Sequence, residues 1–396
     1  MAIIEKLHVL NFRNLADQYL LPNNNINLIL GQNGQGKTNF IESIYYLGHG
    51  RSFKTKNFRD VVPFDDQQIK ISAVVDSQKV SIKKSRDKSV VLINNEKISS
   101  NSFLSQILPI QIISPDRGFV VGGSPKLKRS YLDWGVFHNN KNTLKTYKTY
   151  KKTLKSINTL LAGGNNTGLQ EWFEQFANLS VEITNDRTSY IEKLLSTLKK
   201  DSHNKLNSLI KSKEVFNFQI QTGWPKEVDA LNQTQIFEYL LKNKNTFLKT
   251  KYLNYGPHRA NVEFFLNNKN ENYLSRGEQK KMSIVFWMLQ VMALVENKLN
   301  PVVLIDDISS ELDDVKIKSV INFLTETNIQ IFIILTSLTT AATAWLLNPA
   351  IKEIFENMQT AQSRVFKQYP GSAWRSEDGN LFWIEEGESG RRKFTK

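Results

Sequence analysis

Apolar and polar positions alternate from the start of the chain. Ile3, Ile4, Leu7, Val9 and Phe12 predict a strand, and Ile26, Leu28, Ile29 and Leu30 predict a second that ends at Gly31. From Lys37 to Leu47 the apolar spacing becomes helical. Residues 69–75, 79–84 and 89–93 read as short strands, with turn chemistry at Asp76-Ser77 and Asn94-Asn95. Up to about residue 115 the pattern is mixed α/β. From about 126 to 215 it is helical and low in Gly and Pro outside the loop Gly163–Gly168. Leu144, Tyr147, Tyr150, Leu154, Ile157 and Leu161 recur at spacings of three and four, which predicts one amphipathic helix. Beyond about 215 the α/β texture returns, with buried strands expected at Val302–Ile305 and Ile329–Leu335.

The charge-free stretch between Glu326 and Lys352 is long enough to span a bilayer. Gln330, Ser337 and several Thr dilute it, Asn348-Pro349 ends it, and its dense apolar part is only strand length. A buried strand followed by a loop or helix is the expectation, with no membrane partner. At the N-terminus Glu5, Lys6 and Arg13 interrupt any signal-peptide core. The fold class expected is α/β, a P-loop lobe with an inserted, mainly helical lobe. Residues 1–115 and 215–396 would form the first and 116–214 the second.

Composition changes this picture in two ways. The absence of Cys among 396 residues excludes disulfides, thiolate metal sites and a cysteine nucleophile, and suits the cytoplasm. Fifty-two Lys and Arg against 38 Asp and Glu give a net charge of +14, which favours polyanions as partners. The excess is local. Residues 126–155 hold nine Lys or Arg and one acid, Asp133. Lys141, Lys145, Lys148, Lys152 and Lys155 fall along one face of the amphipathic helix, either a solvated surface or a track for phosphates.

Candidate chemistry sits at the ends of the predicted strands. Gly31, Gln32, Asn33, Gly34, Gln35, Gly36, Lys37 and Thr38 fit G-x-x-x-x-G-K-[ST], with a strand before and a helix after. The glycines let backbone N–H groups curl around phosphates, Lys37 reaches the β- and γ-phosphates, and the Thr38 hydroxyl takes one Mg²⁺ position. A Gly-rich turn with a solvent-facing lysine is the competing reading. The apolar strand at Val302–Ile305 ends in Asp306-Asp307, placing a carboxylate where open α/β sheets bind ligands. Asp306 would hold Mg²⁺ through water, and Asp307 would polarise the attacking water. Tyr273-Leu-Ser275-Arg-Gly277-Glu-Gln279 opens a strongly apolar helix and makes an anion-binding end, or simply a helix cap.

The order Walker A, long insertion, L-S-R-G-E-Q, then an apolar strand with Asp306-Asp307 and S-S-E-L-D resembles the ABC-type ATPase heads of the SMC class. Within that class it resembles the RecF family of recombination-repair proteins. Gly31 to Asn39, Gly50-Arg-Ser-Phe-Lys-Thr55, Gly122 to Asp133 and Tyr255-Gly-Pro-His-Arg259 are similar to that family's motifs. Leu381 to Gly387 is similar to its closing segment, which leaves residues 340–378 as an unexplained insertion.

The resemblance implies an ABC-type head that binds ATP and Mg²⁺ between two protomers. The ATP site would include Gly31 to Asn39, Ser275, Gly277 and Gln279, with Lys37, Ser275, Asp306 and Asp307 carrying catalysis. Gln111 would be the Q-loop glutamine and reach the metal with Thr38 and Asp306. Ser310 to Asp313 would form a D-loop, and Thr336 or Ser337 would take the switch position. The implied activity is a weak, DNA-stimulated ATPase, and the implied assembly an ATP-dependent homodimer. Its partners would be double-stranded DNA, gapped single-strand/duplex junctions and the mediators RecR and RecO, in a cytoplasmic, nucleoid-associated setting. Three other readings compete. A small-molecule P-loop kinase would not need Ser275. A structural SMC member needs longer coiled-coil arms than about ninety inserted residues allow. A transporter subunit usually carries L-S-G-G-Q.

Overall fold

The structure, a computed structural model, describes residues 2–29, 34, 36–98, 101–114, 118–140, 142–201, 214–306, 314–334, 381–382, 384–386 and 392–394. The elements run β1 (Ile4–Phe12), β2 (Leu15–Leu20), β3 (Ile26–Ile29), α1 (Lys37–His49), β4 (Gln68–Val75), β5 (Gln78–Ser85), β6 (Ser89–Ile93), β7 (Glu96–Ile98), α2 (Ser102–Ile107) and β8 (Ile110–Ile113). Then come α3 (Pro125–Asn139), α4 (Thr143–Ala162), α5 (Leu169–Asp201), β9 (Phe216–Gln221), α6 (Gln233–Lys242), α7 (Lys244–Thr250), β10 (Asn261–Leu266), β11 (Lys269–Asn270) and α8 (Arg276–Glu296). The chain continues with β12 (Val302–Ile305), α9 (Asp314–Glu326), β13 (Ile331–Ile334), β14 (Leu381–Phe382), β15 (Ile384–Glu386) and β16 (Arg392–Phe394). Among the described residues no helix is long and apolar enough to cross a membrane. The charge-free stretch contributes the buried strand β13, and the expected insertion at 340–378 lies outside the described residues.

Two compact units emerge. The first holds Met1–Gly118, His203–Ile210 and Leu294–Lys396, and the second holds Phe119–Ser202 and Lys211–Ala293. The expected partition returned everything from 215 onward to the first lobe. Residues 215–293 instead pack with the helical lobe. Phe247 and Tyr255 join Phe173, Phe176 and Ile157 in one core, and Phe286 of α8 meets Phe218 edge-on and Phe264 at a tilt.

The first unit contains two sheets. The five-stranded sheet has order β14-β3-β13-β12-β8 and every pairing in it is parallel. Its strands β3, β8, β12 and β13 are buried at every position, which is why they read as apolar runs broken only by Asn27 and Gln111. The eight-stranded sheet has order β15-β16-β2-β1-β4-β5-β6-β7. Strands β4 and β5 alternate buried and open, as a sheet with one solvated face requires. The turn residues Asp76, Ser77, Asn94 and Asn95 all take left-handed backbone (φ 47° to 69°), closing β4–β5 and β6–β7 as their chemistry suggests. Between the sheets, Phe40, Ile41, Ile44 and Leu47 of α1 pack against Leu7, Val9, Ile71, Ile112, Leu304 and Phe332 in one core. The closing segment joins the same unit, with β14 beside β3 and β16 beside β2.

In the second unit, α4 runs along α5, with Tyr150, Ile157 and Leu161 buried. Strands β9, β10 and β11 form an antiparallel sheet. Its helical texture and the α4 apolar seam follow the sequence pattern.

Candidate nucleotide site

The carboxyl ends of β3, β8 and β12 meet at one edge of the parallel sheet, since Ile113 pairs with Ile305, Ile305 with Ile333, and Ile334 with Ile29. After β3 the chain passes through the phosphate-loop motif into α1. Gly34 and Gly36 have φ of 82° and 94°, backbone that a β-carbon disfavours. At Gly36 a β-carbon would also lie 2.7 Å from Asn14 Oδ1. Gly36 caps α1 without a side-chain bond, and the first helical turn holds no acid, so its N–H groups and partial positive charge are available to an anion. Lys37 is buried at the first helical position. Gly31, Gln32, Asn33 and Gln35 lie outside the described residues.

Thr38 joins the two motifs directly. Its hydroxyl donates to Asp306 Oδ1 at 3.2 Å, and Asp306 is 5% exposed. The Asp306 amide donates to Ile113 O at 2.9 Å, so the carboxylate stands one residue past the end of β12 beside the end of β8. The residue that follows β8 is Ser114, 2% exposed, whose Oγ has no hydrogen-bond partner among the described residues. The Thr38 hydroxyl and the Asp306 carboxylate are hard oxygen donors of the kind that suits Mg²⁺. Among the described residues no three His, Asp or Glu gather into a group that could hold a metal ion by itself. Asp307, Ser310 to Asp313, Thr336 and Ser337 lie outside the described residues.

Gln111 does not join this group. It sits within β8 opposite Val303, two residues before the strand ends. Ile110 and Ile112 face the α1 core, so alternation turns Gln111 to the other face of the sheet. The glutamine was visible in the apolar run; which face it takes depends on pairing. Asn39, expected to touch nucleotide, gives its side-chain amide to Asn14 Oδ1 at 2.7 Å and so braces the loop.

A layer beneath the site escaped sequence reading. Glu42 of α1, fully buried, accepts from Arg13 Nε at 2.6 Å and Nη2 at 2.9 Å, and from Ser52 Oγ at 2.5 Å. Arg13 Nη1 also donates to Asp60 O at 2.9 Å. This fork ties the β1–β2 turn, α1 and the Gly50–Thr55 motif together. The signal was an acid on the inner face of an otherwise apolar helix.

In the second unit, Ser275 and Glu278 close a reciprocal capping box. The Ser275 amide donates to Glu278 Oε2 at 2.7 Å and the Glu278 amide to Ser275 Oγ at 3.3 Å. These bonds hold the Glu278 carboxyl below its usual range. Ser275, Arg276 and Gly277 are exposed, and nothing lies within 4 Å of a β-carbon built on Gly277. Gln279 is turned inward. Its Nε2 donates to Glu271 O at 2.9 Å and its side chain lies against Gly122, so it braces the turn.

The Gly122–Asp133 motif is a strap along α8. The Gly122 amide donates to Glu271 Oε2 at 2.6 Å, and Lys128 Nζ bonds Glu271 Oε1 in a buried ion pair. The Val121 amide donates to Ser283 Oγ, and Tyr131 OH to Phe286 O. Tyr255–Arg259 also serves structure. His258 Nδ1 meets Tyr150 OH at 2.8 Å, and burial lowers its pKa to about 4, which keeps the ring neutral. Arg187 clamps Asp133 at 2.8 and 3.1 Å and donates to Pro257 O, locking α3, α5 and this loop behind α4. On the outer face of α4, Lys145, Lys148, Lys152 and Lys155 are exposed; Lys141 lies outside the described residues.

The family model described as RecF/RecN/SMC N terminal domain matches residues 3–356. The DNA replication and repair protein RecF of Shewanella baltica (strain OS223) is 30% identical over 372 residues, covering 92% of this chain and 96% of that protein. Its counterpart in Shewanella frigidimarina (strain NCIMB 400) is 30% identical over 339 residues, covering 83% and 91%. A structure of the recombination mediator protein RecF with ATP, from the RecFOR pathway, is similar at TM-score 0.77 and 25% identity, covering 100% of this chain and 98% of that one. A Pyrococcus furiosus Smc head domain reaches 0.53 at 14% identity over 100% and 96%, a likeness of fold alone.

Proposed function

The chain belongs to the RecF family of DNA replication and repair proteins, within the wider RecF/RecN/SMC class, and from that premise we propose that it is an ATP-operated clamp on duplex DNA. The observation that carries the reading is the Thr38–Asp306 hydrogen bond, which joins the phosphate loop to the acidic strand end at one sheet edge. An ABC-type ATPase needs these two groups on one metal ion. Thr38 and Asp306 would hold Mg²⁺, which would supply positive charge against the charge that develops on the phosphates in hydrolysis. The chain's own residues do the rest. Backbone N–H groups at the start of α1 cradle phosphate, and Lys37 sets a positive charge on the β/γ side. Thr38, Ser114 and Asp306 hold the ion. Asp307 is assigned to orienting the attacking water.

Ser275 and Gly277 serve a second copy of the chain. A helix start that is capped, exposed and free of overhanging side chains suits the γ-phosphate of a partner's nucleotide. ATP therefore closes a homodimer and hydrolysis opens it. The exposed lysines of α4 then hold duplex phosphates in a salt-sensitive, sequence-tolerant way. In the cell this clamp marks gapped junctions for the mediators RecR and RecO.

The test is duplex binding by fluorescence anisotropy, with and without ATP, for the wild type and Lys37→Ala. ATP strengthens wild-type binding and leaves the variant unchanged. An equal response to ATP in both proteins refutes the reading.

A further inference from the structure

The outer face of the eight-stranded sheet carries a charge pattern that the nucleotide site does not use. Side chains of β1, β4 and β5 that point away from the α1 core form cross-strand rows. In one row Lys6 and Lys79 flank Val74; in another Lys70 stands directly opposite Lys83. Between these rows Ser72 pairs with Ser81. The four lysines are exposed, and among the described residues none forms an ion pair. Nearby carboxylates are committed elsewhere: Asp17 Oδ1 lies 2.6 Å from His8 Nε2, and Glu5 accepts the Ser77 amide at 2.8 Å. An open cleft of about 320 Å³ is lined by Lys6, Lys70, Lys79, Ser72, Ser81 and Tyr19, among others.

Like charges directly opposite one another on a sheet destabilise it. Lys70 and Lys83 keep that arrangement at the centre of the sheet, where a neutral pair would serve the fold better. A bound polyanion turns the cost into attraction. The two lysine rows are four residues apart along the strands, about 13 Å. That is close to the major-groove width of about 12 Å, across which two phosphate ridges face each other. The floor between the rows carries hydroxyls, which contact phosphate oxygens as readily as lysines do. A protein partner fits less well. Its anchor would need an exposed apolar centre, but Val74 and Leu92 are half-buried and Tyr19 is the sole large apolar side chain exposed on this face among the described residues.

We infer that this sheet face is a second contact for the phosphate backbone of duplex DNA, separate from the lysine track on α4. The inference rests on the reading of the chain as a duplex-binding clamp. The experiment measures binding of a fluorescent duplex over a salt series, using the full chain with ATP. Three proteins are compared: wild type, K70E/K83E, and K145E/K148E/K152E. A poly-glutamate probe is titrated in parallel, and circular dichroism and nucleotide affinity report folding.

The sheet variant keeps wild-type nucleotide affinity and melting temperature. It binds duplex about tenfold more weakly, and the slope of log affinity against log salt falls by about two. Unchanged duplex affinity and slope in K70E/K83E, with a loss in the α4 variant, overturns the sheet face alone. Loss of poly-glutamate binding with unchanged duplex binding overturns it in favour of an acidic protein partner. No duplex binding by the wild type removes the clamp reading itself. If K70E/K83E fails to fold, the charge-neutral pair K70Q/K83Q carries the same expectation at smaller amplitude.

Discussion

Ser114 Oγ is buried at the end of β8 with no hydrogen-bond partner among the described residues, and a hydroxyl left so costs about 1–3 kcal/mol. Ser114 follows β8 as Asp306 follows the paired strand β12, and on the proposed reading its lone pair is kept for the metal. Ser114→Ala should leave the melting temperature without nucleotide unchanged or raise it. It should also reduce, several-fold, the gain in nucleotide affinity that Mg²⁺ provides. Identical Mg²⁺ dependence in variant and wild type would show that Ser114 is outside the metal's shell. At this scale, legibility followed chemistry. The two motifs joined by the Thr38–Asp306 bond were readable because a phosphate loop and an acidic strand end each carry a local pattern. Ser114, Arg13 and Glu42 were not, because their roles depend on strand neighbours and on a bond between residues 29 apart in sequence. Gln111 lies on the face of β8 opposite the α1 core, which a residue type in an apolar run does not disclose.

Helix α8 shows how an element is aimed. Its exposed start is fixed from behind by Glu271, which accepts from Gly122 and Lys128 on the strap. Removing one partner of a buried pair strands the other's charge, at a cost of about 3–5 kcal/mol. Lys128→Met should therefore lower stability to chemical denaturation by about that amount, and Lys128→Met with Glu271→Gln should recover part of it. Equal stability of the single variant and wild type would mean that the pair does not hold the turn. Regular elements were largely legible: β1, β3, α1, β4, β5, β6, α4, β12 and β13 lie where periodicity places them, within a few residues. Strand β2 was missed. Asp17 and Gln18 break its alternation, and buried positions in β1 shift phase between Val9 and Phe12, where Asn11 takes left-handed backbone at φ 56°. Such a phase shift is a product of pairing and leaves no period to read.

At the scale of the molecule, the two compact units divide the nucleotide chemistry. Lys37, Thr38, Ser114 and Asp306 belong to the first, and Ser275 and Gly277 to the second. The sequence pattern drew the boundary at a change of texture near residue 215. Contacts draw it near 293, because β9 and β10 cover α8 and share its aromatic core. Texture reports local structure, whereas a unit is defined by what its apolar faces bury. The central claim is that ATP joins two copies of the chain by bringing the Ser275 helix start of each to the other's phosphate loop. Sedimentation velocity of the full chain with Mg²⁺, with and without ATP, tests it most directly, with Ser275→Arg as the paired variant. Wild type should shift from monomer to dimer on ATP addition, while the variant binds ATP and stays monomeric. A variant that dimerises with ATP as well as wild type does, or a wild type whose mass is indifferent to ATP, would contradict the claim.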